Sequence, residues 1–209
     1  ATTYTSRGNL VGVISNGSAV LGLGNIGAVA SKPVMEGKSV LFKKFANIDC
    51  FDIEINQNDP EKLAEIIISL EPTVGAINLE DIKAPDCFIV EKICREKMNI
   101  PIFHDDQHGT AIVVGAALVN SLKIMKKEIG DVKVVSTGGG AAGIACLKML
   151  IKLGCRRENI WLYDIDGLVT SERKTICNEK NLFAQSCSDK PLSEVISEAD
   201  LFLGLSGPN

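Results

Sequence analysis

KVVSTGGGAAGIACL, residues 133–147, decides the fold of this chain. An apolar strand pattern runs into a glycine-rich turn, and a helical pattern follows at once. The turn carries G-x-G-x-x-G as Gly138, Gly140 and Gly143. Glycines there permit a sharp reversal and bring backbone N–H groups close to a pyrophosphate at the positive end of the helix. A second strand pattern ends in Asp164, placed to accept hydrogen bonds from the adenosine ribose hydroxyls. The candidate dinucleotide-binding residues are therefore Gly138, Gly139, Gly140, Ala141, Ala142, Gly143 and Asp164. The competing reading is a tight strand-to-helix turn that holds no ligand.

The same alternation extends outward from this turn. Residues 132–136, 160–163 and 201–205 read as strands, and 141–153 and 192–199 as helices. Toward the N-terminus, 51–55, 74–79 and 101–104 read as strands, and 84–98 and 110–127 as helices. Asp59-Pro60 opens another helix, with Asp as N-cap and Pro at the first helical position. Leu63, Ile66, Ile67 and Leu70 share one face of it. The stretch 27–45 is helix-like but interrupted by Pro33 and Gly37. Residues 11–15 and 18–23 flank Asn16-Gly17, which predicts a hairpin closed by a type I′ turn. Strands alternating with helices imply an α/β fold with mostly parallel sheets covered on both faces. Two domains are expected, 1–108 and 109–209, divided at a turn near His108. The second is a Rossmann-like dinucleotide-binding domain, incomplete at its C-terminal end. There is no internal repeat or low-complexity segment.

Bulk properties narrow the function classes. The chain has 209 residues, 45% hydrophobic and 23% charged, an ordinary globular balance. A net charge of −4 gives no reason to expect nucleic acid or an anionic membrane as a partner. No apolar run approaches the ~18 residues that a membrane helix needs. No signal-peptide pattern is visible. The chain lacks an initiator Met and opens straight into apolar pattern, so a processed or truncated chain is expected. Seven cysteines, odd in number and without a C-x-x-C pair, predict reduced thiols and a cytosol-like compartment.

Two acidic pairs stand just past strand patterns, Glu80 and Asp81 after INL, and Asp105 and Asp106 after PIF. The carboxyl ends of strands are where sites form in α/β sheets. Four carboxylates converging there would repel one another unless a cation or a lysine neutralised them. Hard oxygen donors suit Mg²⁺ or Mn²⁺. Equally, each pair could cap a helix or face solvent. By spacing, Lys38 in PVMEGKSVLF reads as a surface lysine, like Lys43 and Lys44. His104 and His108 flank the second pair; by chemistry either could be a ligand or a base, and packing at the strand end is the favoured reading.

Five blocks, NGSAVLGLGNIG, KPVMEGKSVLFKKF, INLEDIKAPDCF, FHDDQHGTAIV and GGGAAGIA, occur in the order found in malic enzymes of the smaller, bacterial-like type. The resemblance runs from Tyr4 to Pro208, and the INLED and HDDQHGTA blocks are its most specific parts. It implies oxidative decarboxylation of malate to pyruvate and carbon dioxide with reduction of a nicotinamide cofactor. It implies that Glu80, Asp81 and Asp106 bind Mg²⁺ or Mn²⁺, that Lys38 is the general base and that Asp105 assists. Malate is then the small-molecule partner, with no nucleic acid and no membrane. A cytoplasmic homodimer or larger homo-oligomer is expected.

NAD is expected over NADP, although NADP is possible. After Asp164 the chain reads IDGLVTSERK, with Asp166 adding negative charge where a 2′-phosphate needs a cation. Arg173 and Lys174, about nine residues on, are expected to lie out of reach. Two departures from the family pattern stand out. The Tyr general acid of a segment resembling YTPGVA has no counterpart, and Tyr4 is expected to pack at a strand start. The family also continues past Asn209 with an Asn-bearing loop, so this chain alone is expected to show little activity. The rival readings are a metal-dependent oxaloacetate decarboxylase without cofactor turnover and a non-catalytic nucleotide-binding module. The carboxylate set with Lys38 argues against the second.

Overall fold

A computed structural model of the chain describes residues 1–207. The end of the family resemblance at Pro208, and Asn209, lie outside the described residues. The chain divides into two compact units, the first ending at Asp106 and the second beginning at Gln107.

The first unit alternates β1 (Leu10–Ser15), α1 (Gly27–Ala46), β2 (Asp49–Glu54), α2 (Pro60–Ser69), β3 (Ala76–Leu79), α3 (Asp86–Lys97) and β4 (Ile102–His104). Its strands form one parallel sheet in the order β2-β1-β3-β4. Val13, Ile14, Ile77 and Leu79 of the central strands are buried, as are Leu63, Ala64 and Ile67 of α2. Asp59 caps α2 by accepting from the N–H groups of Glu61 and Lys62. Leu79 pairs with His104 across β3 and β4. The residues that follow each strand therefore leave the sheet side by side, which is what brings the two acidic pairs to one edge.

The expected hairpin does not form. Residues 18–23 are not a strand, and only an isolated bridge joins Val20 to Gly24. The reason is that β1 already has a parallel neighbour on each side, β2 and β3, so no edge is open to a returning strand. Asn16-Gly17 instead starts a loop through Gly22, Gly24 and Gly27, all at positive φ. The expected break in the first helix is also absent, since α1 runs through both Pro33 and Gly37. Pro33 sits early in it, where its missing N–H removes a single helical hydrogen bond. Tyr4 does not pack at a strand start; it lies in an N-terminal turn and is 93% exposed.

No turn near His108 separates β4 from the next helix. The helix α4 (Asp105–Met125) starts directly after β4, so Asp105 and Asp106 occupy its first turn. By length and composition this helix could cross a membrane, contrary to the expectation that no segment approaches that limit. Its charges stand only at the ends, at Asp105, Asp106 and Lys123. Ala111, Leu118 and Leu122 on one face of it are buried in the core of the second unit.

That unit continues with β5 (Val134–Thr137), α5 (Ala141–Leu153), β6 (Ile160–Asp164), β7 (Gly167–Leu168), α6 (Asn178–Asn181), α7 (Leu192–Ile196) and β8 (Leu201–Gly204). The sheet order is β7-β6-β5-β8, with β5 parallel to β6 and β8 and the short β7 antiparallel. Its core gathers Val134, Ile144, Leu147, Leu150, Ile160, Leu162 and Phe183. Each such side chain contributes roughly 1.5–3 kcal/mol on burial. Gly115 lets α5 approach α4 closely, since a Cβ there would lie 3.1 Å from Leu153 Cδ1. The seven cysteines are free thiols. Burial pushes Cys87 up to about 12 and Cys146 up to about 11, values that leave both protonated at neutral pH.

Candidate functional site: a carboxylate centre and a glycine-rich turn

In the first unit, carboxylate oxygens of Glu80, Asp81 and Asp106 all lie within 4.8 Å of one another. Glu80 and Asp81 follow β3, and Asp106 is the second residue of α4. Asp81 takes a left-handed backbone with φ 53°, which turns the chain sharply after Glu80. Its N–H donates to Asp106 Oδ2 at 2.9 Å. Asn78 Nδ2 donates to Glu80 Oε2 at 2.8 Å. His104, fully buried, places Nε2 3.5 Å from Asp106 Oδ2.

Lys38 reaches this cluster from α1. Its ammonium lies 2.7 Å from Asp105 Oδ2 and 3.2 Å from Glu80 Oε2. Burial alone would lower its pKa, but the hydrogen bond to Asp105 and the charge of Glu80 outweigh burial and hold it above the ordinary lysine value. The acids feel the opposite pressure. Burial, with help from Glu80, pushes Asp81 up to about 6. Burial, with Glu80 and Asp81 nearby, pushes Asp106 up to about 7. Burial also raises Glu80, against the pull of Lys38 and Asn78. One ammonium faces four carboxyls, so the centre is short of positive charge. Three converging hard-oxygen donors with that deficit fit a divalent Mg²⁺ or Mn²⁺ ion.

In the second unit, the turn after β5 has the geometry that the glycines suggested. Gly138 has φ 104°, and a Cβ on it would collide with the Leu205 backbone. A Cβ on Gly143 would strike the Gly138 carbonyl, so α5 can start this close to β5 only with glycine there. Gly140 faces open space and caps α5 without a side chain. Ala141, Ala142 and Gly143 form the first turn of α5. A cavity of about 750 Å³ opens over the turn, lined by Gly138, Gly139, Gly140, Asp164, Lys180 and Leu192 among others. That space and the free helix N-terminus fit a dinucleotide pyrophosphate.

Asp164 is not alone there, which corrects the expectation that no cation comes near it. Arg173 Nη1 donates to Asp164 Oδ1 at 2.8 Å, and Lys180 Nζ donates to Oδ2 at 2.6 Å. Burial would raise the Asp164 carboxyl, but these two bonds and one from the Asp166 N–H hold it below the ordinary carboxylate range. The cause is the path of the chain. It reverses at Ile165-Asp166, runs back as β7 and brings α6 against the glycine turn, so that Lys180 Cε would touch a Cβ on Gly139. Lys180 was missed because its partner lies across this return, with no local spacing to reveal it. His108 lines a small separate cavity of about 170 Å³ with Lys148 and Lys152.

Comparison with known proteins gives consistent matches over nearly the whole chain. A family model described as malic enzyme, N-terminal domain matches residues 2–95, and one described as malic enzyme, NAD binding domain matches residues 107–208. The NAD-dependent malic enzyme of Rhizobium meliloti is 58% identical over 207 residues, 99% of this chain and 27% of that protein. The NADP-dependent malic enzyme of Haemophilus influenzae is 60% identical over 205 residues, 97% of this chain and 27% of that protein. The crystal structure of the NAD-dependent malic enzyme from Thermotoga maritima superposes with a TM-score of 0.92 at 47% identity, covering 99% of this chain and 56% of that one. The chain thus spans about a quarter of the length of these sequence relatives and about half of the structural one.

Proposed function

The chain belongs to the malic enzyme family, and from that premise we propose that it carries the cation, malate and nicotinamide sites of an oxidative malate decarboxylase. The observation that carries this reading is the convergence of Glu80, Asp81 and Asp106 beside the Lys38–Asp105 pair. We assign malate and the cation to the first unit and the nicotinamide dinucleotide to the second.

Glu80, Asp81 and Asp106 would hold Mg²⁺ or Mn²⁺, which supplies Lewis acidity toward the malate C2 oxygen and stabilises the charge left when carbon dioxide departs. Lys38 Nζ would take the C2 hydroxyl proton, and the nicotinamide, when bound, would supply the hydride acceptor. To do so it must first be neutral, and Asp105, 2.7 Å away, is placed to exchange its proton. Asn78 and the Asp81 N–H fix the orientation of Glu80 and Asp106. In the second unit the 138–143 turn binds the pyrophosphate and Asp164 faces the adenosine ribose. With Arg173 and Lys180 against Asp164, the charge argument for NAD alone fails, and the site has a cation to offer a 2′-phosphate. We therefore read it as accepting NADP as well as NAD. Self-association would cover the exposed apolar side chains of the first unit, among them Leu21 at 93% and Phe45 at 78% exposure.

The test is malate-dependent reduction of NAD or NADP by the protein that carries these residues, with Mn²⁺ and with a chelator. Cation-dependent reduction with pyruvate formed is the expected result. Decarboxylation of oxaloacetate without any malate-dependent cofactor reduction would overturn the reading.

A further inference from the structure

The loop after β1 bonds to the turn after β3 at two points. The Ala19 N–H donates to the Asp81 carbonyl at 3.0 Å. Ser18 Oγ accepts from the Lys83 N–H at 2.9 Å. The Ser18 hydroxyl hydrogen goes the other way, to Asn16 Oδ1 at 2.6 Å. Asn16 is itself anchored, donating through Nδ2 to the Gln57 carbonyl at 3.1 Å. Ser18 and Asn16 are both buried. Between the points of this grip stands Asp81 with φ 53°, a conformation that costs an L-residue of order 1–3 kcal/mol and persists only where its surroundings impose it.

We propose that Ser18, oriented by Asn16, is a positioning residue that holds the turn after β3 so that the Asp81 carboxylate joins those of Glu80 and Asp106. The role rests on the metal centre proposed above. The hydroxyl is used completely: its one hydrogen is donated to Asn16 and a lone pair receives the Lys83 N–H. Removing it takes from the Lys83 N–H, in a part-buried bond, its acceptor on the loop. The turn then loses one of its two ties to the loop, two residues from Asp81. Neither Ser18 nor Asn16 is one of the carboxylates proposed to hold the ion; the Lys83 N–H bond to Ser18 and the Ala19 N–H bond to the Asp81 carbonyl transmit the restraint.

Mn²⁺ affinity measured by electron paramagnetic resonance, without substrate or dinucleotide, tests this on four proteins. Ser18→Ala is expected to weaken Mn²⁺ binding about 10- to 100-fold, the range found when groups that orient metal ligands are removed. Ser18→Thr, which keeps the hydroxyl, is expected to recover the wild-type affinity. Ser15→Ala is the control, because Ser15 Oγ accepts from the Gly17 N–H in the same loop but makes no side-chain bond to the 80–83 turn. It is expected to leave Mn²⁺ affinity unchanged. Wild-type affinity in Ser18→Ala, or equal losses in Ser15→Ala and Ser18→Ala, would overturn the positioning role while leaving the metal centre standing. If Ser18→Ala does not fold, Ser18→Cys replaces it, with a weaker acceptor of similar shape, and an unchanged affinity there overturns the role as well. A wild-type protein that binds no Mn²⁺ overturns the metal centre and the positioning role together.

Discussion

Asp81 donates its backbone N–H to the side chain of Asp106 at 2.9 Å, so two residues proposed to hold one ion are also bonded to each other. The bond ties the turn after β3 to the first turn of α4. It also offsets part of the cost of burying the Asp106 carboxyl, which still stands at about 7.

The first prediction concerns pH. Asp81 and Asp106 have folded-state pKa values of about 6 and about 7 against an ordinary 3.8. Between those values the folded protein binds more protons than the unfolded chain. For the cation-free protein this contribution therefore favours folding at low pH and is lost as pH rises toward 7. Mn²⁺ should reverse the trend, since it binds the ionised carboxylates and stabilises most once they are deprotonated. The check is the melting temperature against pH in chelator and in Mn²⁺, for wild type and Asp106→Asn. Asp106→Asn should flatten the chelator curve relative to wild type. A wild-type minus Asp106→Asn difference that grows with pH in chelator has the wrong sign for this account.

Lys38→Ala in the active enzyme should lower kcat by roughly 100- to 10,000-fold, the span of general acid–base contributions. Dinucleotide affinity should stay close to wild type, because the glycine turn belongs to the other unit. Near-normal kcat would remove Lys38 as the base.

Lys180→Gln should raise the KM for NADP about tenfold or more, since a charge-assisted hydrogen bond contributes roughly 1.5–3 kcal/mol. The KM for NAD should change little. Steady-state kinetics with both cofactors decide it, and equal effects on the two would mean that Lys180 only holds Asp164 in place.

Gly143→Ala should be costly, because the added methyl meets the Gly138 carbonyl and not a flexible side chain. A loss of about 1–3 kcal/mol is the usual scale for overpacking. Dinucleotide binding should weaken with it as α5 moves off the turn. Denaturant unfolding and fluorescence titration with NADH measure the two effects. A variant as stable as wild type would show that the turn yields more easily than its geometry implies.

The glycine turn was readable in the sequence because its constraint is local. Gly138 needs positive φ and Gly143 needs a bare Cα, and no other residue meets both demands. The two acidic pairs were readable as strand-end residues, and parallel pairing of β3 with β4 then places them together. Lys38 was not distinguishable by spacing from Lys43 or Lys44; only the family resemblance singled it out. The Asn16-Gly17 hairpin misled because turn propensity says nothing of whether a strand has a free edge, and β1 has none. Lys180 was invisible for a similar reason, and Arg173, named in the sequence, was wrongly placed out of reach. Their proximity to Asp164 depends on the return of the chain through β7, which is two residues long and leaves no periodic trace.

The imbalance of four carboxyls around one ammonium also bears on order of arrival. Malate is a dianion, and a dianion approaching Glu80, Asp81, Asp105 and Asp106 meets net repulsion that Lys38 alone does not cancel. A divalent ion loaded beforehand turns the same cluster from a barrier into an anchor. On the function proposed above, such a centre would favour a sequence in which the ion precedes the acid, and malate affinity would follow how fully the ion site is charged. The carboxylates would then act as a gatekeeper on substrate entry before any bond is broken.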